Sequence, residues 1–164
     1  AIAFYAEDTK LPAIKKRAVG NWVKEVAATY GKVGDISYIF CSDEKILEVN
    51  RQYLQHDYYT DIITFDYTSG DKISGDLFIS LDTVKTNSEA FNTPYNEELH
   101  RTIIHGILHL CGINDKGPGE REIMEANENK ALAILPENAG KVNFPGKKKC
   151  LEPLPVKDAT EEVV

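Results

Sequence analysis

The chain has 164 residues, a formal net charge of −7, 42% hydrophobic and 27% charged residues, which allows one domain with a real core and disfavours a nonspecific polyanion binder. No apolar run approaches the roughly 20 residues that span a bilayer, and the opening AIAFYAEDTKLPAIKKR lacks the basic-then-apolar order of a signal peptide. Cysteine is sparse, with Cys41, Cys111 and Cys150 showing no C-x-x-C spacing, so the expected setting is a reducing cytoplasm without a disulfide framework.

In chain order, a short strand is expected at Ile2–Tyr5, then a helix from about Pro12 to Tyr30 with Trp22, Val23 and Val26 on one side. Gly31 and Gly34 bracket a turn before a strand over Asp35–Cys41. Ser42 is a good N-cap, and Asp43 and Glu44 suit a first helical turn. That helix carries Ile46, Val49, Tyr53 and Leu54 and ends in the loop HDYY. Strands follow at Asp61–Tyr67 and Gly75–Leu81, separated by TSGDK, and a helix covers Asp82–Phe91. Thr93 reads as an N-cap and Pro94 as the first position of a helix running to Cys111, with Leu99, Ile103, Gly106 and Leu110 as its apolar stripe. A last helix, about Gly119 to Leu135, should turn Ile123, Ala126 and Leu132 inward.

The fold class expected is α+β: a small mixed sheet packed with about five helices, with residues 1–140 as the domain. Residues 141–164 read as a basic then acidic, partly flexible extension. Two basic clusters, Lys10, Lys15, Lys16 and Arg17 near the start and Lys141, Lys147, Lys148 and Lys149 near the end, read as solvated surface charge.

The most informative run is HGILHLCGIND. His105 and His109, at i and i+4, share one helix face and can grip a cation from the same side. Gly112 marks a helix end, because glycine takes the left-handed conformation at little cost. The chain can turn there and return Asp115 to the same ion. Two imidazoles and a carboxylate leave a fourth position for water, as in a catalytic zinc site. Zinc suits this donor set, and nickel or another first-row cation would also bind. Cys111 falls on a different face and reads as a small buried apolar residue. Zinc proteases with the H-E-x-x-H pattern share the spacing, but their general base is the glutamate after the first histidine. Here that residue is Gly106, which has no proton acceptor and costs up to about 1 kcal/mol in a helix interior. A close approach by backbone or substrate must offset that cost.

HGILHLCGIND resembles the H-G-x-L-H-L-x-G-x-D-H signature of the YbeY family, bacterial rRNA maturation factors described as metal-dependent endoribonucleases. VNRQYLQHDYYTDIITFDY is similar to that family's L-N-x-x-Y-R-x-x-D-x-x-T-D-V-L-S-F segment through Asn50, Tyr53, Asp57, Thr60, Asp61 and Phe65. GDLFIS, from Gly75 to Ser80, is similar to its G-D-x-x-I-S strand, and Met124 and Glu128 fall where its last helix often has such residues. The resemblance spans about residues 35–135. It implies a zinc site on the motif helix, processing of the 16S rRNA 3′ end, and rRNA and the small ribosomal subunit as partners. Two departures stand out. The family's third ligand is usually histidine where this chain has Asp115, whose charge makes the ion a weaker Lewis acid. The arginine of Y-R-x-x-D is Leu54 here.

The functional expectation is cleavage of a single-stranded RNA phosphodiester in the cytoplasm. The metal ligands are His105, His109 and Asp115. Arg51, with His56, is the candidate replacement for the family's arginine. Glu98, two turns before His105, is a candidate general base, although an exposed first-turn glutamate is the simpler reading. The alternatives are a non-enzymatic ribosome assembly factor with a structural metal and, more remotely, a metalloprotease.

Overall fold

The computed structural model describes residues 1–139, Val142, Phe144 and the strand Glu161–Val163. Lys141, Lys147, Lys148, Lys149 and Cys150, noted in the sequence, lie outside the described residues. Strand β1 (Ile2–Ala6) is followed by α1 (Lys16–Ala28), β2 (Lys32–Cys41) and α2 (Asp43–Val49), which runs into a π-helical turn (Asn50–Leu54). Strands β3 (Ile62–Asp66) and β4 (Lys72–Ser80) precede α3 (Leu81–Ala90), α4 (Tyr95–Leu110) and α5 (Glu120–Ala133). The short β5 (Glu161–Val163) completes the order.

The sheet order is β1-β2-β4-β3-β5. β1, β2 and β4 run parallel, β3 is antiparallel to β4, and β5 is parallel to β3. Successive side chains point to opposite faces, and β3 divides accordingly. Ile62 packs with Leu77, Ile79, Tyr38 and Phe40 under α1 and α4. Ile63 and Phe65 pack with Cys41, Ile46 and Val49 on the face covered by α2. Both faces of the sheet are therefore covered, the mixed arrangement expected.

Helix α4 lies across the middle of the main core. Leu99, Ile103, Ile104 and Ile107 are fully buried. The Tyr38 hydroxyl donates to the Ile103 carbonyl at 2.8 Å, which ties the helix to β2. Gly106 has the reason its position demands. A Cβ there would lie 2.2 Å from Leu77 Cδ2 and 2.7 Å from Ile62 Cδ1. The sheet approaches the helix through those two side chains, and only glycine leaves them room.

Two local expectations change. The N-cap of α4 is Pro94, without a side-chain cap bond, rather than Thr93. Thr93 instead belongs to the preceding turn, where its N–H donates to Ser88 O. In α5 the buried residues are Met124, Glu128 and Ala131, while Ile123 is 57% exposed and Ala126 is exposed as well. The helix is too polar for its apolar residues to set its rotation. Its inward face is fixed by tertiary contacts: Trp22 Nε1 donates to Ala131 O at 2.8 Å, and Glu128 reaches α4. Past residue 140, Val142 N donates to Asn96 Oδ1 at 2.7 Å and Phe144 packs edge-on against Tyr95.

Candidate metal centre

The last two turns of α4 carry His105 and His109, and the chain reverses directly beyond them. Gly112 adopts φ +94°. Its N–H donates to His109 O at 2.9 Å, and Ile113 N–H donates to Leu108 O at 3.0 Å. This paired closure is the Schellman arrangement, which needs a left-handed residue at Gly112. Three residues later Asp115 faces the two imidazoles.

Among the described residues, His105, His109 and Asp115 form the one group able to hold a metal, with their donor atoms within 4.8 Å of one another. His105 Nε2 lies 3.6 Å from Asp115 Oδ2, and His109 Nε2 lies 3.7 Å from Asp115 Oδ1. These separations are too long for hydrogen bonds. They are close to the edge of a tetrahedron, about 3.3 Å, around an ion with bonds of 2.0–2.1 Å. Spacing and donor chemistry both fit a first-row divalent cation. Burial pushes the His109 pKa down to about 4, with the neighbouring His105 acting in the same direction. The imidazole is therefore neutral at neutral pH, the form that binds metal.

The other ring nitrogen of His105 is engaged. Nδ1 is hydrogen-bonded to Glu128 Oε2 on α5. Glu128 Oε1 accepts from Arg101 Nη1 at 2.9 Å, and Arg101 Nη2 donates to Asn129 Oδ1 at 2.9 Å. Sequence reasoning placed Glu128 only through the resemblance and did not single out Arg101. Arg101 does sit one turn before His105, at the i, i+4 spacing that already linked the two histidines.

His105 and Asp115 border a cleft of about 660 Å³ between the α3–α4 turn and the α4–α5 loop, with His109 behind them. Its walls include Asp61, Glu98, Arg101, Lys116, Arg121 and Glu128. Glu98 is 2% exposed, so its reading as an exposed first-turn glutamate fails. Arg51 and His56 are not among the lining residues. Arg51 sits in the π-helical turn, paired with Asp57 at 2.5 Å. His56 stacks on Tyr58 with its Nδ1 2.9 Å from the Tyr58 hydroxyl. Cys111 caps α4, and burial raises its thiol pKa to about 12. It stays protonated, as expected of a small packing residue.

These features agree with comparisons across known proteins. The family described as Endoribonuclease YbeY matches residues 3–136. A Parabacteroides distasonis protein named endoribonuclease YbeY is 86% identical over 84% of this chain and 97% of its own length. Proteins of the same name are 78% identical in Bacteroides fragilis, over 82% of this chain and 97% of the relative, and 56% identical in Porphyromonas gingivalis, over 85% and 93%. The solution structure of TM1509 from Thermotoga maritima shares the fold, with a TM-score of 0.60 and 25% identity over 90% of this chain and 99% of that one. The motif helix, its glycine reversal and the match along nearly the whole described fold lead to one conclusion: this chain belongs to the YbeY endoribonuclease family.

Proposed function

We propose that this chain is a metal-dependent endoribonuclease of the cytoplasm, acting on rRNA at the 3′ end of 16S and working with the small ribosomal subunit. The observation that carries the reading is the convergence of two imidazole nitrogens and a carboxylate at the edge of a cleft of about 660 Å³. Among the described residues, no helix is long and apolar enough to cross a membrane. The activity itself comes from the relatives' name, endoribonuclease.

When bound, a zinc or other first-row divalent ion supplies Lewis acidity to the scissile phosphodiester. His105, His109 and Asp115 hold it. Glu98, buried in the cleft wall, is the group proposed to accept a proton from the attacking hydroxyl or water. Lys116, on the loop that carries Asp115, and Arg121, in the first turn of α5, are proposed to offset phosphate charge. Arg51 and His56 lie beyond the lining, so their proposed part is to hold RNA away from the scissile bond. Residues 1–140 are proposed as the catalytic domain.

The test is cleavage of a short RNA spanning the 16S 3′ end by purified protein. Cleavage should disappear with chelator, return with added Zn²⁺, and be absent in His109→Ala. Activity that persists in metal-free His109→Ala would sink the catalytic metal. The second reading, an assembly factor with a structural metal, is favoured by Leu54 in place of the family's arginine and by the pairing of Arg51 with Asp57. It predicts that His109→Ala lowers the melting temperature while no preparation cleaves RNA. Gly106, standing where a protease needs glutamate, leaves the peptidase reading without its base.

A further inference from the structure

We infer that Glu128 is a positioning residue for the metal centre and that Arg101 is its anchor. The inference rests on the metal-binding reading of His105, His109 and Asp115. Imidazole has two ring nitrogens, and the neutral ring carries one proton between them. An ionised carboxylate only accepts, so Glu128 Oε2 against Nδ1 holds the proton at Nδ1. That leaves the Nε2 lone pair of His105 directed to the space it shares with Asp115. The other tautomer would put hydrogen on Nε2, the atom an ion must take. The contact also fixes the rotation of the ring, which meets His109 edge-on with the ring centroids 4.8 Å apart.

Glu128 is itself held. Its side chain is 4% exposed, so an ionised carboxylate there requires a partner. Arg101 supplies it at 2.9 Å and is tied in turn to Asn129, the residue after Glu128. One guanidinium on α4 therefore fixes two successive residues of α5, and the carboxylate between them fixes a ligand back on α4. Loops do not enter this circuit. It sets the angle of His105 through two helices, whereas Asp115 depends on a loop.

The same contacts could serve only to staple α4 to α5, and the experiment separates the two roles. The double variant Arg101→Met/Glu128→Leu replaces a buried ion pair with apolar groups of similar size, a change that often preserves or raises stability. Glu128→Gln keeps an acceptor oxygen but loses the charge. Three readouts apply: the melting temperature of metal-free protein, the Zn²⁺ dissociation constant from competition with a chromophoric chelator, and the His105 tautomer from ring ¹⁵N shifts. Metal-free wild type should carry its proton on Nδ1. The double variant should remain folded, lose that preference and bind Zn²⁺ about 10–100-fold more weakly. Glu128→Gln should fall between the two, and Glu44→Gln, exposed on α2, should match wild type. A folded double variant with wild-type Zn²⁺ affinity would overturn the inference, as would an Nε2-protonated His105 in wild type. None of the three readouts involves RNA. Failure to cleave RNA alongside these shifts would defeat the nuclease reading alone.

Discussion

His109 is the residue whose burial matters most to the chemistry. It is 8% exposed, and its pKa of about 4 lies well below the ordinary 6.5. In the unfolded chain the imidazole takes its proton at higher pH than in the fold, so stability rises with pH across that window. Metal-free protein should be fully stabilised by this group above about pH 6.5 and lose that contribution as pH falls towards 4, a difference on the order of 3 kcal/mol. Carboxylates titrate in the same range, and burial also lowers the pKa of His100. The measurement is therefore a comparison: urea unfolding of wild type and His109→Gln in chelator, from pH 7 to 4. The wild type should lose more stability than the variant, and parallel curves would refute the burial argument. The two histidines, Gly112 and Asp115 were legible in the sequence because a helix face and a glycine reversal are local patterns. Glu128 was not, because its contact with His105 spans 23 residues and leaves no periodic trace.

At the scale of elements, α4 is readable and α5 is not, for the same physical reason. The stripe Leu99, Ile103, Gly106 and Leu110 is apolar enough to decide which way α4 faces. In α5, Leu132 packs against the core as expected, but Ile123 and Ala126 give way to Met124, Glu128 and Ala131, because a hydrogen bond from Trp22 and an ion pair with Arg101 outweigh a weak apolar bias. The close fit of α4 on the sheet gives a direct prediction. Gly106→Ala gains up to about 1 kcal/mol of helix propensity. It also drives a methyl group into Leu77 and Ile62, both fully buried and unable to swing into solvent. Overpacking of that kind costs about 1–3 kcal/mol, so after the propensity gain the variant should be less stable by up to about 2 kcal/mol in urea unfolding. Adding Leu77→Ala should make Gly106→Ala less costly than it is alone, because the added methyl then has space. A Gly106→Ala variant more stable than wild type would show that propensity, not the approach of the sheet, governs the position.

Over the whole molecule the charge is −7, and the proposed substrate is a polyanion. Affinity for RNA then depends on the few cations that reach the strand. Of those lining the cleft, Arg101 is paired with Glu128, and Lys116 and Arg121 are the cations proposed for phosphate contact because both line the same cleft. The early cluster of Lys10, Lys15, Lys16 and Arg17 is exposed before α1 and in its first turn, and none of it lines the cleft. For single-stranded nucleic acid each neutralised phosphate contributes roughly −0.7 to the slope of log K against log salt. Two such contacts predict a slope of about −1 to −2 for a short RNA, measured by fluorescence anisotropy between low and physiological salt. Lys116→Ala and Arg121→Ala should each flatten it by roughly 0.7, whereas Arg51→Gln should weaken binding without a larger change in slope than either. A slope steeper than about −4 would mean that most phosphate contacts are made elsewhere, with Lys141, Lys147, Lys148 and Lys149 as the first residues to substitute. On the shallow slope, an acidic protein of this size gains little from electrostatic capture, and selection of its RNA depends on the partner that presents the strand.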